Sequence, residues 1–190
     1  MTNTDDLLLE RLREGDAAAF ESLFLCYHAQ VYRVLYSLMG SREEAEDLAQ
    51  ETFLTLYRQP PPPKAGAPLV AWLCRVALNT GYNALRGARR ERRRIERIAA
   101  PPESVDPHAE LLRTEERVRV RAALARLPER QSRLLLLRYA GLSYAEIAAA
   151  LGIAPGSVGT LLARAERAFL ASYQQLALAG REGSINTGEL

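Results

Sequence analysis

The segment from Leu127 to Val158 constrains this chain most, because it reads as three short helices separated by two tight breaks. Leu134, Leu135 and Arg138 keep helical spacing up to a break at Gly141. Ser143 is placed to cap a second helix, and Glu146 stands where a capping box needs it. Ile147, Ala148 and Leu151 are expected to face inward, and Gly152 permits the sharp turn that follows. Pro155 suits the first turn of a third helix, which continues through Val158, Leu161, Leu162 and Ala165. This succession is the layout of a helix-turn-helix. In such units the last helix enters the DNA major groove, the only groove wide enough to admit it. The same pattern also occurs in helical bundles that never touch DNA.

The remaining chain is helical too. Apolar residues recur every three to four positions and seldom alternate, so the fold class is all-α. A short helix over 5–14 ends at Gly15, and Asp16 can cap a long one whose stripe is Phe20, Leu23, Phe24, Tyr27, Val31, Leu35 and Leu38. Gly40 closes that helix. Ser41 and Glu44 form a second capping box, opening a helix through Arg58 with Ala45, Leu48, Ala49, Thr52, Phe53 and Leu56 inside. Pro60 to Pro63 forbid helix and give a stiff extended loop. A further long helix begins near Pro68 and carries Leu69, Trp72, Leu73, Val76 and Leu85. The proline-bearing stretch Ala99–Pro107 reads as a flexible linker, and a helix from Ala109 to Arg126 leads into the helix-turn-helix. Two small helical domains follow, over 1–97 and 109–179, joined by a linker at 98–108, with a disordered tail at 180–190.

Charge is unevenly distributed. Arg86–Arg97 holds seven arginines against Glu91 and Glu96, in a chain whose formal net charge is only +2. Ser41–Glu51 carries Glu43, Glu44, Glu46, Asp47 and Glu51 against Arg42 alone. A basic block beside an acidic one suggests two different partners, one of them polyanionic. Either run could instead be a solvated helix face. Cys26 and Cys74 each lie in an apolar helical stretch without metal-ligand spacing, so both are expected as buried, reduced thiols. His28 and His108 have no partner in a catalytic pattern. No phosphate-binding glycine loop, metal cluster or nucleophile arrangement is present, so neither an enzyme, a metal site nor a cofactor is expected. No apolar run approaches the roughly 18 residues that span a bilayer and no signal-peptide pattern opens the chain, so a cytoplasmic protein without membrane insertion is expected.

Laid out in full, the chain resembles bacterial RNA polymerase sigma factors of the extracytoplasmic-function (ECF) type, which keep two domains known as regions 2 and 4. Four segments in order carry the resemblance. They are Gly40-Ser-Arg-Glu-Glu-Ala-Glu-Asp-Leu-Ala-Gln-Glu-Thr-Phe53, Ala71-Trp-Leu73 with Asn79 and Arg86, Leu127-Pro-Glu-Arg130, and Leu142-Ser-Tyr-Ala-Glu-Ile-Ala148. It implies a region 2-like bundle, a region 4-like helix-turn-helix, and a subunit that directs promoter recognition and DNA melting. It also implies that Asp47, Leu48, Gln50, Glu51, Phe53 and Leu54 bind the polymerase core. Trp72, Arg75, Asn79, Asn83, Arg86, Arg89 and Arg90 would meet the melted −10 element. Ser143, Ser157, Val158, Thr160, Leu161, Arg164 and Arg167 would meet the duplex −35 element. An anti-sigma factor is a further partner consistent with the family. Phe53 could equally be core, and the ring of Trp72 is expected in the core.

The chain departs from the family pattern at three places. Asn83 stands where Asp is common, Ala154 cannot cap the recognition helix, and Gly159 and Leu161 replace basic residues. A free-standing helix-turn-helix regulator is the alternative class, and a protein-binding helical adaptor a third. The regulator needs neither the acidic helix nor the Trp72–Arg86 constellation, and co-purification with RNA polymerase core would separate the sigma-factor reading from both others.

Overall fold

The computed structural model describes residues 4–62, 68–96 and 111–185. The linker expected over 98–108 lies outside them. Helix α1 (Thr4–Arg13) turns at Gly15 into α2 (Ala17–Met39). Asp16 caps α2, its carboxylate accepting from the amides of Ala18 and Ala19, while Arg11 holds the other oxygen at 2.8 Å. The Arg11 hydrogen bond, followed by that from Ala18, keeps the Asp16 carboxyl below its ordinary pKa. Gly40 ends α2 at φ 80°, a left-handed conformation that glycine adopts without the Cβ penalty. Ser41 accepts from the amide of Glu44 and starts α3 (Arg42–Arg58). After the prolines comes α4 (Leu69–Glu96).

These four helices bury one core. Leu9 and Leu12 of α1 meet Leu23, Val31 and Leu35 of α2, Phe53 and Leu56 of α3, and Leu69 and Leu73 of α4. The Tyr27 hydroxyl donates to Asp5 at 2.6 Å and ties α1 to α2. Gly81 lets α4 approach α2 closely, since a Cβ there would lie 2.7 Å from a methyl of Leu38.

The second half comprises α5 (Leu111–Arg126), α6 (Glu129–Tyr139), α7 (Tyr144–Leu151), a single 3-10 turn (Pro155–Ser157) and α8 (Val158–Ile185). Helix α8 runs past residue 179, where the sequence pattern ended the domain, because Leu176, Ala177 and Leu178 keep favouring helix. The two helical domains also pack against each other. Leu134, Leu136, Leu137, Ile147, Ala148 and Ala150 of the second share a continuous core with Val34, Val70, Ala71, Cys74 and Leu78 of the first. Each leucine buried there contributes about 1.5–3 kcal/mol relative to exposure, which gives the halves a strong reason to dock.

Candidate polymerase and nucleic-acid interfaces

Helix α3 has two sharply different faces. Ala45, Ala49, Thr52, Phe53 and Leu56 are buried, so helical phase turns Asp47, Gln50, Glu51 and Leu54 outward. Those four are exposed and form one strip, and Leu48 is partly buried at its edge. Phe53 does not belong to that strip. It is 1% exposed, with its ring against Phe24 at 4.8 Å, because aromatics of α2 and α3 interdigitate where the helices cross. The sequence-level assignment of Phe53 to polymerase contact is therefore corrected to core. Glu46, beside the strip, lies 3.5 Å from Nε2 of His28.

On α4, Arg75, Asn79, Asn83, Arg86, Arg89 and Arg90 are all exposed. Trp72 is partly buried against the first core, as expected of its ring. Three members of this ridge are joined by hydrogen bonds. Arg86 donates to the Asn83 side-chain carbonyl at 2.7 Å and to Glu129 of α6 at 3.0 Å. Asn79 accepts from Arg133 of α6 at 2.9 Å. Arg133 also donates twice to Glu129, at 2.6 and 2.9 Å, and its guanidinium lies 4.9 Å from the Tyr82 ring centre. Sequence reasoning missed Glu129, Arg133 and Tyr82. Only the Leu127–Arg130 segment pointed near them.

The helix-turn-helix forms as the caps require. Ser143 and Glu146 make a reciprocal capping box, and Gly152 closes α7 at φ 64°. Ser143 is exposed, but its hydroxyl is engaged by the amide of Glu146 at 3.3 Å. In the third helix Ser157, Thr160, Arg164 and Arg167 face solvent. Two proposed DNA contacts are corrected here. Val158 is fully buried, and Leu161 packs on the same core beside Leu162, because the first turn of α8 leans on α7. Ala154 has the extended backbone of a cap residue but makes no side-chain cap.

The thiols divide as well. Cys74 is buried, but Cys26 is exposed, against expectation, because Leu25 and Cys26 fall on the outer side of α2. Burial, then the charge of Glu146, pushes the Cys74 thiol up to about 12. Among the described residues no group of His, Cys, Asp or Glu side chains could hold a metal ion. No single described helix is long and apolar enough to cross a membrane.

Two family models match the two bundles in series: Sigma-70 region 2 over residues 23–91, and Sigma-70, region 4 over residues 117–169. A helical pair of this kind defines the sigma-70 class of transcription initiation factors. The RNA polymerase sigma-H factor of Pseudomonas aeruginosa is 31% identical over 183 residues, covering 90% of this chain and 95% of its own. The ECF RNA polymerase sigma factor SigM of Mycobacterium tuberculosis is 32% identical over 187 residues, covering 97% and 88%. The chain belongs to the ECF RNA polymerase sigma factors. In fold it is similar to CnrH in complex with the cytosolic domain of CnrY, with TM-score 0.64, 22% identity and coverage of 89% and 96%. The sigma factor RpoE in complex with the anti-sigma factor NepR from Bartonella quintana is similar at TM-score 0.59, with 23% identity and coverage of 82% and 96%.

Proposed function

We propose that this sigma factor works as a non-catalytic, cytoplasmic subunit that lends RNA polymerase core its promoter choice through three separate faces. The strip Asp47, Gln50, Glu51 and Leu54 docks on the core enzyme, its carboxylates meeting a basic partner and Leu54 supplying the apolar contact. The ridge Arg75, Asn79, Asn83 and Arg86 holds the melted −10 strand. Amides read base edges there and arginines take phosphates, which is what capture of unstacked bases requires. Arg89 and Arg90 extend the basic track. Ser157, Thr160, Arg164 and Arg167 face the −35 duplex. An anti-sigma factor is a further partner, as in the sigma factor complexes of similar fold.

The observation that carries the reading furthest is the two-faced α3, which turns its acids and Leu54 outward while burying Phe53. The strip is outward, with 46% of Leu54 exposed, and faces none of the buried core of the described residues. Reversing Asp47 and Glu51 to Lys should abolish co-purification with polymerase core while leaving helix content unchanged by circular dichroism. Full retention of core by the double variant would remove α3 from the interface.

A further inference from the structure

A second set of arginines lies away from the three faces. Between α2 and the helices α5, α6 and α8 runs a crevice of about 480 Å³. Its floor is apolar, with Val120 and Leu124 from α5, Leu135 and Leu136 from α6, and Phe169 from α8. Its rim carries Arg33 of α2 and, one helical turn apart on α5, Arg117 and Arg121. Cations beside an apolar floor are costly unless something answers them. Elsewhere Arg11, Arg86 and Arg133 each meet a carboxylate, that of Asp16 or Glu129. No ion pair joins Arg33, Arg117 or Arg121 to a carboxylate of the described residues, although Glu116 also stands at the rim. Their partners are neutral. Arg33 donates to the carbonyl of Ala140 at 3.4 Å, and Arg117 to the Tyr36 hydroxyl at 3.2 Å. The Arg121 guanidinium lies over Gly40, at the carbonyl end of α2. Most donors of each guanidinium are left unused by the described residues. The Tyr36 ring stacks on Tyr32 with 5.8 Å between centres, which fixes its place in the wall. Its hydroxyl accepts from Arg117, and its own proton has no acceptor among the described residues.

We propose that this crevice binds a small anionic amphiphile, its apolar body on Val120, Leu135 and Phe169 and its single carboxylate or phosphate head held by Arg33, Arg117 and Arg121. Small-molecule sites span roughly 300–1,000 Å³ and combine a mostly apolar lining with a few convergent polar groups, as this crevice does. A planar guanidinium meets carboxylate and phosphate oxygens alike through two parallel N–H bonds, so the rim fits either head. The Tyr36 hydroxyl adds a neutral donor beside them. A ligand that is all charge, such as inorganic phosphate, would leave the floor in water and gain nothing from it. A ligand seated here touches α2 of the first domain and α5, α6 and α8 of the second at once.

Calorimetric titration of the full chain with decanoate, decyl phosphate and uncharged decanol tests the site. At least one of the two acids should bind saturably and about tenfold more tightly than decanol, since a hydrogen bond between charged groups contributes about that much affinity. The same acid should raise the melting temperature, because a ligand of the folded state alone stabilises it. Whichever acid binds more tightly identifies the head, and either choice upholds the proposal. Arg117→Gln combined with Arg121→Gln, neither of them in the buried core, should weaken that acid about tenfold and leave decanol unchanged. Val120→Phe, which fills the floor and keeps every charge, should weaken all three compounds. Decanol binding as tightly as the acids would overturn the ionic head, as would undiminished acid binding by the double arginine variant. Acid binding that falls in the double variant but ignores Val120→Phe would put the anion on the arginines without the apolar seat, and would overturn the amphiphile. No saturable binding of either acid to a chain shown folded by circular dichroism would remove the site altogether.

Discussion

Replacing Phe53 and its neighbour Leu54 by alanine, one at a time, should separate folding from polymerase binding. Phe53 is 1% exposed and wedged against Phe24, whereas Leu54 is 46% exposed. Truncating a buried phenylalanine costs about 3–5 kcal/mol, since the transfer energy is lost and a cavity remains. Loss of the edge-to-face contact with Phe24 is part of that cost. Small domains have only about 5–15 kcal/mol of stability, so Phe53→Ala should bring the first bundle close to its limit. With a urea slope of about 2 kcal/mol per molar, the midpoint should fall by roughly 1.5–2.5 M. Leu54→Ala removes a side chain that is half in water already, and should change stability by about 0.5 kcal/mol or less. Urea titration followed by circular dichroism reads the first quantity, and capture of polymerase core at low temperature reads the second. Phe53→Ala should lose stability and keep capture while folded; Leu54→Ala should keep stability and lose capture. A stability loss below about 1 kcal/mol for Phe53→Ala, with capture abolished, would refute the placement of this ring in the core.

Three further outcomes follow from the same structure. In native conditions a thiol reagent should modify Cys26 and spare Cys74, with the second equivalent appearing only on denaturation; rapid modification of both would contradict the burial of Cys74. Since burial raises the Cys74 pKa from 9.0 to about 12, the stability linked to this thiol is complete below pH 9 and is lost as pH rises toward 12. Ala154→Ser supplies a hydroxyl at a residue that already has the φ −67°, ψ 132° of a cap, and should stabilise the second bundle by about 1 kcal/mol in thermal unfolding. No gain would mean that the amides after Ala154 are already satisfied by water.

Much of the fold could be read from local rules. Asp16, Gly40, Ser41, Ser143 and Gly152 each bound a helix where capping chemistry placed the boundary, because a cap acts within a few residues and needs no tertiary information. Phase was harder. The apolar stretch of α2 was legible, but burial of Cys26 was wrongly expected, because which side of a uniformly apolar segment meets a neighbour depends on where that neighbour lies. Val158 and Leu161 failed as DNA contacts for a related reason. Their position in a recognition helix was clear, yet apolar side chains in its first turn satisfy the core of α7 before they can offer anything to a groove. The exposed set Ser157, Thr160, Arg164 and Arg167 is what remains once that demand is met.

The docking of the two halves was not read from the sequence, although α4 carries a signal for it. One apolar stripe is enough to place a helix on one core, and Leu69, Leu73 and Ala77 supply that stripe toward α2 and α3. Yet α4 reads Leu69-Val70-Ala71, then Leu73-Cys74, then Ala77-Leu78, so each stripe position has an apolar neighbour about 100° further round the helix. Val70, Ala71, Cys74 and Leu78 form this second stripe, and all four lie in the core shared with α6 and α7. Leaving such a stripe in water costs about 25 cal/mol for each Å² of apolar surface, so a doubled pattern demands a second neighbour. What the pattern could not supply is which helix answers it, since α6 and α7 follow only after the proline-bearing stretch. The polar ridge of α4 lies at the edge of that second stripe, with Asn79 directly after Leu78. Any helix that covers the stripe therefore arrives beside the ridge, and the contact of Glu129 and Arg133 with Arg86 and Asn79 is a consequence of how α4 is buried.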